Sequence, residues 1–422
     1  MSRRQLPGTG DSGMTVRAAI DDVLPDPLAP ESLANPYPLY ARLRDTAPVV
    51  MLPGTDYYVV SRYEDVAAAA LNTEDYSSRL VAILTRQGDG GTKIVDASGA
   101  GMVDVLAIAD PPDHDRQRKV TQAALSAGFV RSLEAHIRGF VAELLGPLLA
   151  RGTMEWMGEF AFRLPMSVAL EIVNFPRDDW ALVKGWCDHG VALLSGINTE
   201  QELIEHGRAA GRLVKYVTTK LEGAKGGPQP GVTGPLIDAV QNGTLSDAEA
   251  ISIVFQILIA GNDSSASTMG SAVRMLAEDA TLQARLRRTP ERIPDFIEEV
   301  LRLESPFQGH FRVARRDCRL AGVDVPEGAR LMLLWGSANR DPRAFENPDV
   351  LDIDRPNRRA QLGFGHGLHY CLGAPLARLE VRIVLEELLA RTRTIERVRT
   401  EPLCYLPSVF VRTLRELPLR AV

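Results

Sequence analysis

The stretch GFGHGLHYCLGAPLARLE, Gly363–Glu380, decides how this chain is read. Gly363, Gly365 and Gly367 alternate along it, allowing turns closed to residues with a Cβ. Such turns aim successive N–H groups at one point and favour negative charge there. Cys371 follows where LGAPLARLEVRIVLEELL takes up a helical pattern, and the positive end of a helix dipole also favours a thiolate. Gly373 leaves room beside the sulfur for something large and flat. The arrangement presents Cys371 as a thiolate ligand to a metal.

The remainder of the chain bounds the answer. Its 422 residues are 45% hydrophobic and 24% charged with a net charge of −6, enough for a sizeable core. No Lys/Arg run forms a phosphate-binding stripe, which argues against nucleic acid as a partner. Cys187, Cys318, Cys371 and Cys404 are widely spaced with no CxxC pair. Neither a disulfide framework nor a structural zinc site is favoured, and a reducing compartment fits. The first 30 residues lack the apolar core of a signal peptide, and no run reaches the roughly 20 apolar residues of a membrane span. A cytoplasmic protein without a membrane anchor is expected.

Periodicity predicts a mainly helical chain with a minor sheet. Residues 1–34 read as a flexible arm and 35–422 as one domain. Tyr57–Val60 reads as a strand and the alanines after it as a helix. Leu80–Leu106 reads as a long irregular loop, a feature that usually carries function. Residues 111–225 read as mainly helical, broken at FPRDD and SGINTEQ. Ser246 with Glu249 forms a capping box, opening a helix of some 30 residues that is expected to cross the molecule. Another helix is expected over Glu291–Leu303. Short strands are expected in HFRVARRD, CRLAGVDVPEG and ARLMLLW.

A thiolate that donates electron density to haem iron favours O–O cleavage. FGHGLHYCLG, Phe364–Gly373, resembles the haem-binding loop of the cytochrome P-450 superfamily, FGxGxHxCxG, with every position filled. The resemblance runs from about residue 35 to the C-terminus. It implies the P-450 fold, with a long central helix over haem and the cysteine loop before the last long helix. It also implies haem b with Cys371 as axial ligand, and Phe364, Gly365 and Gly373 around the cofactor. AGNDSS, Ala260–Ser265, resembles the family's AGx(D/E)T(T/S) element, making Asp263 and Ser264 the acid–alcohol pair of proton delivery. Gly261, costly in mid-helix by about 1 kcal/mol, would admit oxygen where a hydroxyl bonds back to the carbonyl four residues earlier. Serine replaces the usual threonine at 264, and loss of the methyl that restricts the rotamer is expected to leak electrons to peroxide.

By the same resemblance, Glu299 and Arg302 match ExxR and Arg355 completes a network bracing the loop. His114, Arg118, Arg312 and His369 would meet the haem carboxylates. The substrate pocket would be walled by Leu80, Val81, Ile257, Ala260, Phe307, His310, Val409 and Phe410, and by residues around Leu182–Leu203. These stretches are largely apolar, which fits a hydrophobic or aromatic substrate. The implied activity is monooxygenation with O2 and NAD(P)H-derived electrons from a ferredoxin and its reductase. Arg358, Arg359, Arg378 and Lys119 are candidate docking contacts. A peroxide-using or rearranging haem-thiolate enzyme, a haem sensor or carrier, and a Cys371–His369 nucleophile remain as rival readings.

Overall fold

Ser246 begins the element that organises the molecule. Its hydroxyl accepts from Glu249 N, and the Glu249 carboxylate accepts from Ser246 N at 2.8 Å, the capping box read in the sequence. The helix runs unbroken over Asp247–Glu278, 32 residues, or about 48 Å at the usual rise. It is buried on most of its circumference, with Ile253, Leu258, Ala266, Met269, Ala272 and Leu276 fully inside. Helices Arg163–Ile172, Trp180–Ala192, Glu200–Ala224 and Ala374–Arg391 pack around it. The computed structural model describes residues 26–52, 55–86, 91–97, 103–227, 229–399 and 401–422. One hydrophobic cluster extends from Val105 to Ala421, and two smaller ones lie against the sheet.

The principal sheet has five strands in the order Val49–Met51, Tyr57–Val60, Arg330–Leu333, His310–Ala314, Tyr76–Ser77. Arg330–Leu333 runs parallel to Tyr57–Val60 and antiparallel to His310–Ala314, with Leu331 opposite Arg312 and Leu333 opposite His310. The period of two puts His310 and Arg312 on one face. The stretch CRLAGVDVPEG forms the expected small hairpin, Cys318–Leu320 against Val323–Val325. The last long helix runs over Ala374–Arg391.

Two expectations change. The long loop contains a hairpin, Ala82–Arg86 paired with Thr92–Asp96. The β-branched residues Ile83, Thr85, Thr92, Ile94 and Val95 favour it, but the glycines at 88, 90 and 91 masked the pattern; residues 87–90 and 98–102 lie outside the described residues. The arm, expected to reach residue 34, ends earlier. Pro30–Ala34 is a helix with proline at its favoured first position, and Leu28 and Leu33 are buried. Residues 1–25 lie outside the described residues.

Candidate active site

The cysteine loop is shaped by its own backbone. Gly365 and Gly367 have φ of +75° and +70°, the left-handed region that side chains disfavour. Cys371 N donates to Phe364 O at 2.9 Å and closes the loop. The loop is moored where Leu362 N donates to Asn339 Oδ1 at 2.7 Å, while Asn339 Nδ2 donates to Ser305 Oγ at 2.8 Å. The N–H groups of Gly373 and Ala374 point at the Cys371 sulfur. A Cβ on Gly373 would stand 3.7 Å from it, so glycine keeps that flank clear. Burial pushes the thiol up, opposed by those N–H groups and by Arg118 and Arg378. Cys371 is exposed and borders a cavity, and it is the only cysteine on that wall among the described residues.

Glu299 anchors the approach to this loop. It and Arg302 are 0% exposed and Arg355 is 3% exposed. Arg302 donates bidentately to Glu299, Nε at 2.7 Å and Nη2 at 2.9 Å, and Arg355 Nε adds bonds at 3.1 and 3.2 Å. Burial would raise the Glu299 carboxyl, but these bonds outweigh it and hold it below the usual range. The remaining guanidinium hydrogens go to carbonyls: Arg302 to Asn339, Pro348 and Val350, Arg355 to Glu346, Asn347 and Val350. The triad thus clamps the irregular segment that carries Asn339.

At one rim of the cavity, donors gather without acceptors. Arg312 is 5% exposed and bonds only to its neighbour's carbonyl, Phe311 O at 2.7 Å; burial lowers its pKa to about 10. Neither ring nitrogen of His369 has a partner, and burial with nearby cations pushes it down to about 3. His114 stacks beside it with centroids 4.5 Å apart, and Arg118 donates to Tyr370 O at 2.9 Å. No carboxylate forms an ion pair with Arg118 or Arg312 among the described residues. Arg118 and the buried Arg312 thus leave two guanidinium charges at the rim without a carboxylate. The two carboxylates of haem supply the opposite charge, and the sulfur, Gly373 and Gly261 border the space between. The residues fit the group.

Across the cavity, Ser264 Oγ donates to Ala260 O at 2.7 Å, the back-bond expected from the sequence. The helix nonetheless remains continuous there, and nothing stands within 4 Å of a Cβ placed on Gly261. Asp263 is not brought to Ser264. Its side chain leaves the cavity wall, accepts from Asn262 Nδ2 at 2.8 Å and lies 3.5 Å from Lys184 Nζ. Burial raises its pKa to about 6, and the Lys184 charge opposes the rise. Lys184 had no signal in the sequence, since a helix far upstream brings it in.

Of the expected substrate wall, Ile257, Ala260, Phe307 and His310 line the cavity. Trp335 Nε1 donates to His310 Nδ1 at 2.8 Å, and burial lowers His310 to about 4, so its ring is neutral. Phe410 touches Phe307 and His310, with centroids at 5.0 and 5.6 Å, from behind. Val409 faces a second apolar cavity, with Leu28, Leu39, Tyr57 and Leu84. Leu80, Val81 and the residues of 182–203 do not line the cavity. Gly190 packs so closely on Ile259 that a Cβ there would meet Ile259 Cδ1 at 2.6 Å, which brings its helix down onto the central one. Leu106, the end of the loop expected to wall the pocket, does line it, and Ala107, Gln256 and Glu380 are wall residues not anticipated. Glu380 did carry a signal, an acid between Leu376 and Val384 on an apolar stripe.

A sequence profile described as Cytochrome P450 matches residues 291–413, from the helix of Glu299 through the cysteine loop. Cytochrome P450 144 of Mycobacterium tuberculosis is 37% identical over 390 residues, spanning 92% of this chain and 89% of the relative. The chain belongs to the cytochrome P450 family. Two solved P450 structures share its fold. Cytochrome P450 CREJ in complex with (4-ethylphenyl) dihydrogen phosphate has TM-score 0.86 and 27% identity, covering 92% of this chain and 98% of that one. The Bacillus megaterium CYP109E1 complex with testosterone has TM-score 0.81 and 29% identity, with the same coverage of 92% and 98%. The chain is therefore a P450-type haem monooxygenase with a cysteine thiolate ligand. Among the described residues, no helix is long and apolar enough to cross a membrane.

Proposed function

We propose that this P450 inserts one atom of O2 into an apolar or aromatic small molecule, using NAD(P)H-derived electrons from a ferredoxin and its reductase. The observation that carries the reading is the cavity itself. The sulfur of Cys371 stands on one wall, the hydroxyl of Ser264 on the central helix, and apolar side chains lie between. Haem bound there supplies thiolate-assisted activation of dioxygen. The N–H groups of Gly373 and Ala374 hold the sulfur's negative charge. Arg118, Arg312, His114 and His369 meet the two carboxylates, Arg312 as a buried guanidinium suited to bidentate pairing. Phe307, Ile257 and Ala260 exclude water and orient an apolar substrate. Ser264 holds a proton at Oγ, shared with Ala260 O, on the side where oxygen enters.

The two neighbours are complexes with (4-ethylphenyl) dihydrogen phosphate, an aromatic ring bearing a polar phosphate, and with testosterone; the apolar parts of both are of the kind proposed here. For the ferredoxin, Arg378 and Arg358 are already engaged by Glu298 and Asp295, so exposed Arg359 and Lys119 are the free docking cations. The test is spectroscopic and catalytic. The reduced, carbon-monoxide-treated protein shows the red-shifted band of thiolate ligation, and Cys371→Ser abolishes it. Product forms with ferredoxin, reductase, NAD(P)H and O2, and not with peroxide alone. Turnover by peroxide without electron donors would overturn the assignment.

A further inference from the structure

His310 opens the strand His310–Ala314 and stands half-buried on the cavity wall. The rings of Phe307 and Phe410 flank it, with centroids at 5.4 and 5.6 Å. Behind it, Trp335 is 1% exposed, and its indole Nε1–H donates to His310 Nδ1 at 2.8 Å. An indole N–H can only donate. Nδ1 therefore holds a lone pair, and the single proton of the ring sits on Nε2. Turning the ring over would face the indole with carbon and leave a buried donor unpaired. Trp335 thus fixes the tautomer, and no group among the described residues accepts from Nε2.

The other polar side chains above the sulfur are already engaged. Gln256 donates to Val105 O at 2.8 Å and accepts from Ala107 N at 3.4 Å. Ser264 donates to Ala260 O and Thr268 to Ser264 O, at 2.7 and 2.8 Å. Ser265 bonds the Glu380 carboxyl. His310 Nε2–H is left as a donor beside the apolar part of the cavity, where Ile257, Ala260 and Phe307 stand. A donor shut away from water is costly unless a ligand brings the acceptor.

We propose that His310 is a specificity-determining residue, its Nε2–H selecting apolar or aromatic substrates that carry an acceptor oxygen such as a ketone. The assignment rests on the function proposed above and narrows its substrate class. A hydrocarbon of the same shape fills the cavity but leaves Nε2–H unpaired, and a site built around a hydrogen bond rejects the analogue that lacks it. Trp335 is a positioning residue that acts through His310. The competing acceptor is a haem carboxylate, since Arg312 follows on the same strand face. The rim already offers Arg118, Arg312, His114 and His369 to those two carboxylates, and the aromatic neighbours of His310 favour the substrate.

Spectral titration of the haem-loaded enzyme with benzophenone and diphenylmethane, which differ at the central carbonyl, tests the assignment. Binding is read from the spin-state shift in the visible spectrum. Benzophenone is expected to bind tighter by about 2- to 13-fold. His310→Leu erases that preference, and His310→Gln, which keeps an N–H, retains it. Trp335→Phe weakens benzophenone and leaves diphenylmethane unchanged, a split that lost packing alone would not give. Equal affinities in wild type, or no shift with either probe, overturn the proposal, as does a preference that survives His310→Leu. Should His310→Leu lose its haem, an unchanged benzophenone affinity in Trp335→Phe overturns it equally. A surviving preference with faster haem transfer to apomyoglobin in His310→Leu gives Nε2–H to a haem carboxylate instead. The functional reading fails separately: turnover by peroxide without electron donors overturns it and leaves the ketone preference, and its loss in His310→Leu, in place.

Discussion

Replacing Glu299 by alanine removes the one carboxylate shared by two buried guanidinium groups. Four hydrogen bonds between 2.7 and 3.2 Å go with it, and so does the acceptor for Asp352 N at 3.1 Å. Arg302 is 0% exposed and Arg355 3%, so water cannot reach in to replace the lost charge. Removing one partner of a buried ion pair costs about 3–5 kcal/mol. An unfolding entropy of about 2.1 cal/mol/K per residue, over 422 residues, makes that a fall in Tm of about 3–6 °C. The local effect exceeds the global one. Arg302 and Arg355 hold the carbonyls of Asn339, Pro348 and Val350, and Asn339 moors Leu362 at the entrance of the cysteine loop. Guanidinium groups in search of charge release that segment, and the sulfur loses its fixed position. Glu299→Ala is therefore expected to purify with most of its haem missing, and Glu299→Gln with an intermediate amount. The assays are haem-to-protein ratio by pyridine haemochrome and Tm by circular dichroism. Full haem content in Glu299→Ala with Tm within about 1 °C of wild type would refute the reasoning.

Lys184→Met takes away the cation 3.5 Å from Asp263. The Asp263 midpoint then climbs from about 6 by about 1–3 units. The sign follows from linkage. A carboxyl whose folded pKa is raised contributes stability that is fully present below its unfolded pKa of 3.8 and lost as pH rises through about 6. In Lys184→Met that loss moves to higher pH, which Tm measured across pH 4–9 reads directly; an unmoved window counts against the ion pair. Ser264→Thr restores a rotamer-restricting methyl next to the Ala260 carbonyl bond, so product per NAD(P)H rises, and no gain would show that hydroxyl order does not limit coupling. Arg312→Leu deletes a buried guanidinium from the rim, a charge-assisted bond worth about 1.5–3 kcal/mol. Haem transfer to apomyoglobin should speed by about 10- to 150-fold, and an unchanged rate would remove Arg312 from the propionate set.

What the sequence made legible is what local chemistry controls. The capping box at Ser246 and Glu249, the aromatic and β-branched run Tyr57–Val60 and the glycines of the cysteine loop each act within a few residues, and the structure repeats them. The hairpin Ala82–Arg86/Thr92–Asp96 was hidden because strand pairing is set between segments, and the glycines in the intervening sequence read as a loop. The surroundings of Asp263 were hidden for a different reason. Asp263 and Ser264 are adjacent in sequence, but their side chains leave the helix about 100° apart; Ser264 borders the cavity while Asp263 is drawn to Lys184. The difference is set by neighbours from other helices. Gly190 lets its helix settle onto Ile259, and that approach brings Lys184 to Asp263. The position of the Asp263 carboxylate is thus a consequence of helix packing, so Gly190→Ala, which forces Ile259 aside, should weaken the Lys184–Asp263 contact and shift the Asp263 midpoint upward as Lys184→Met does. A midpoint unchanged in Gly190→Ala but raised in Lys184→Met would separate the ion pair from the packing and refute the link between them.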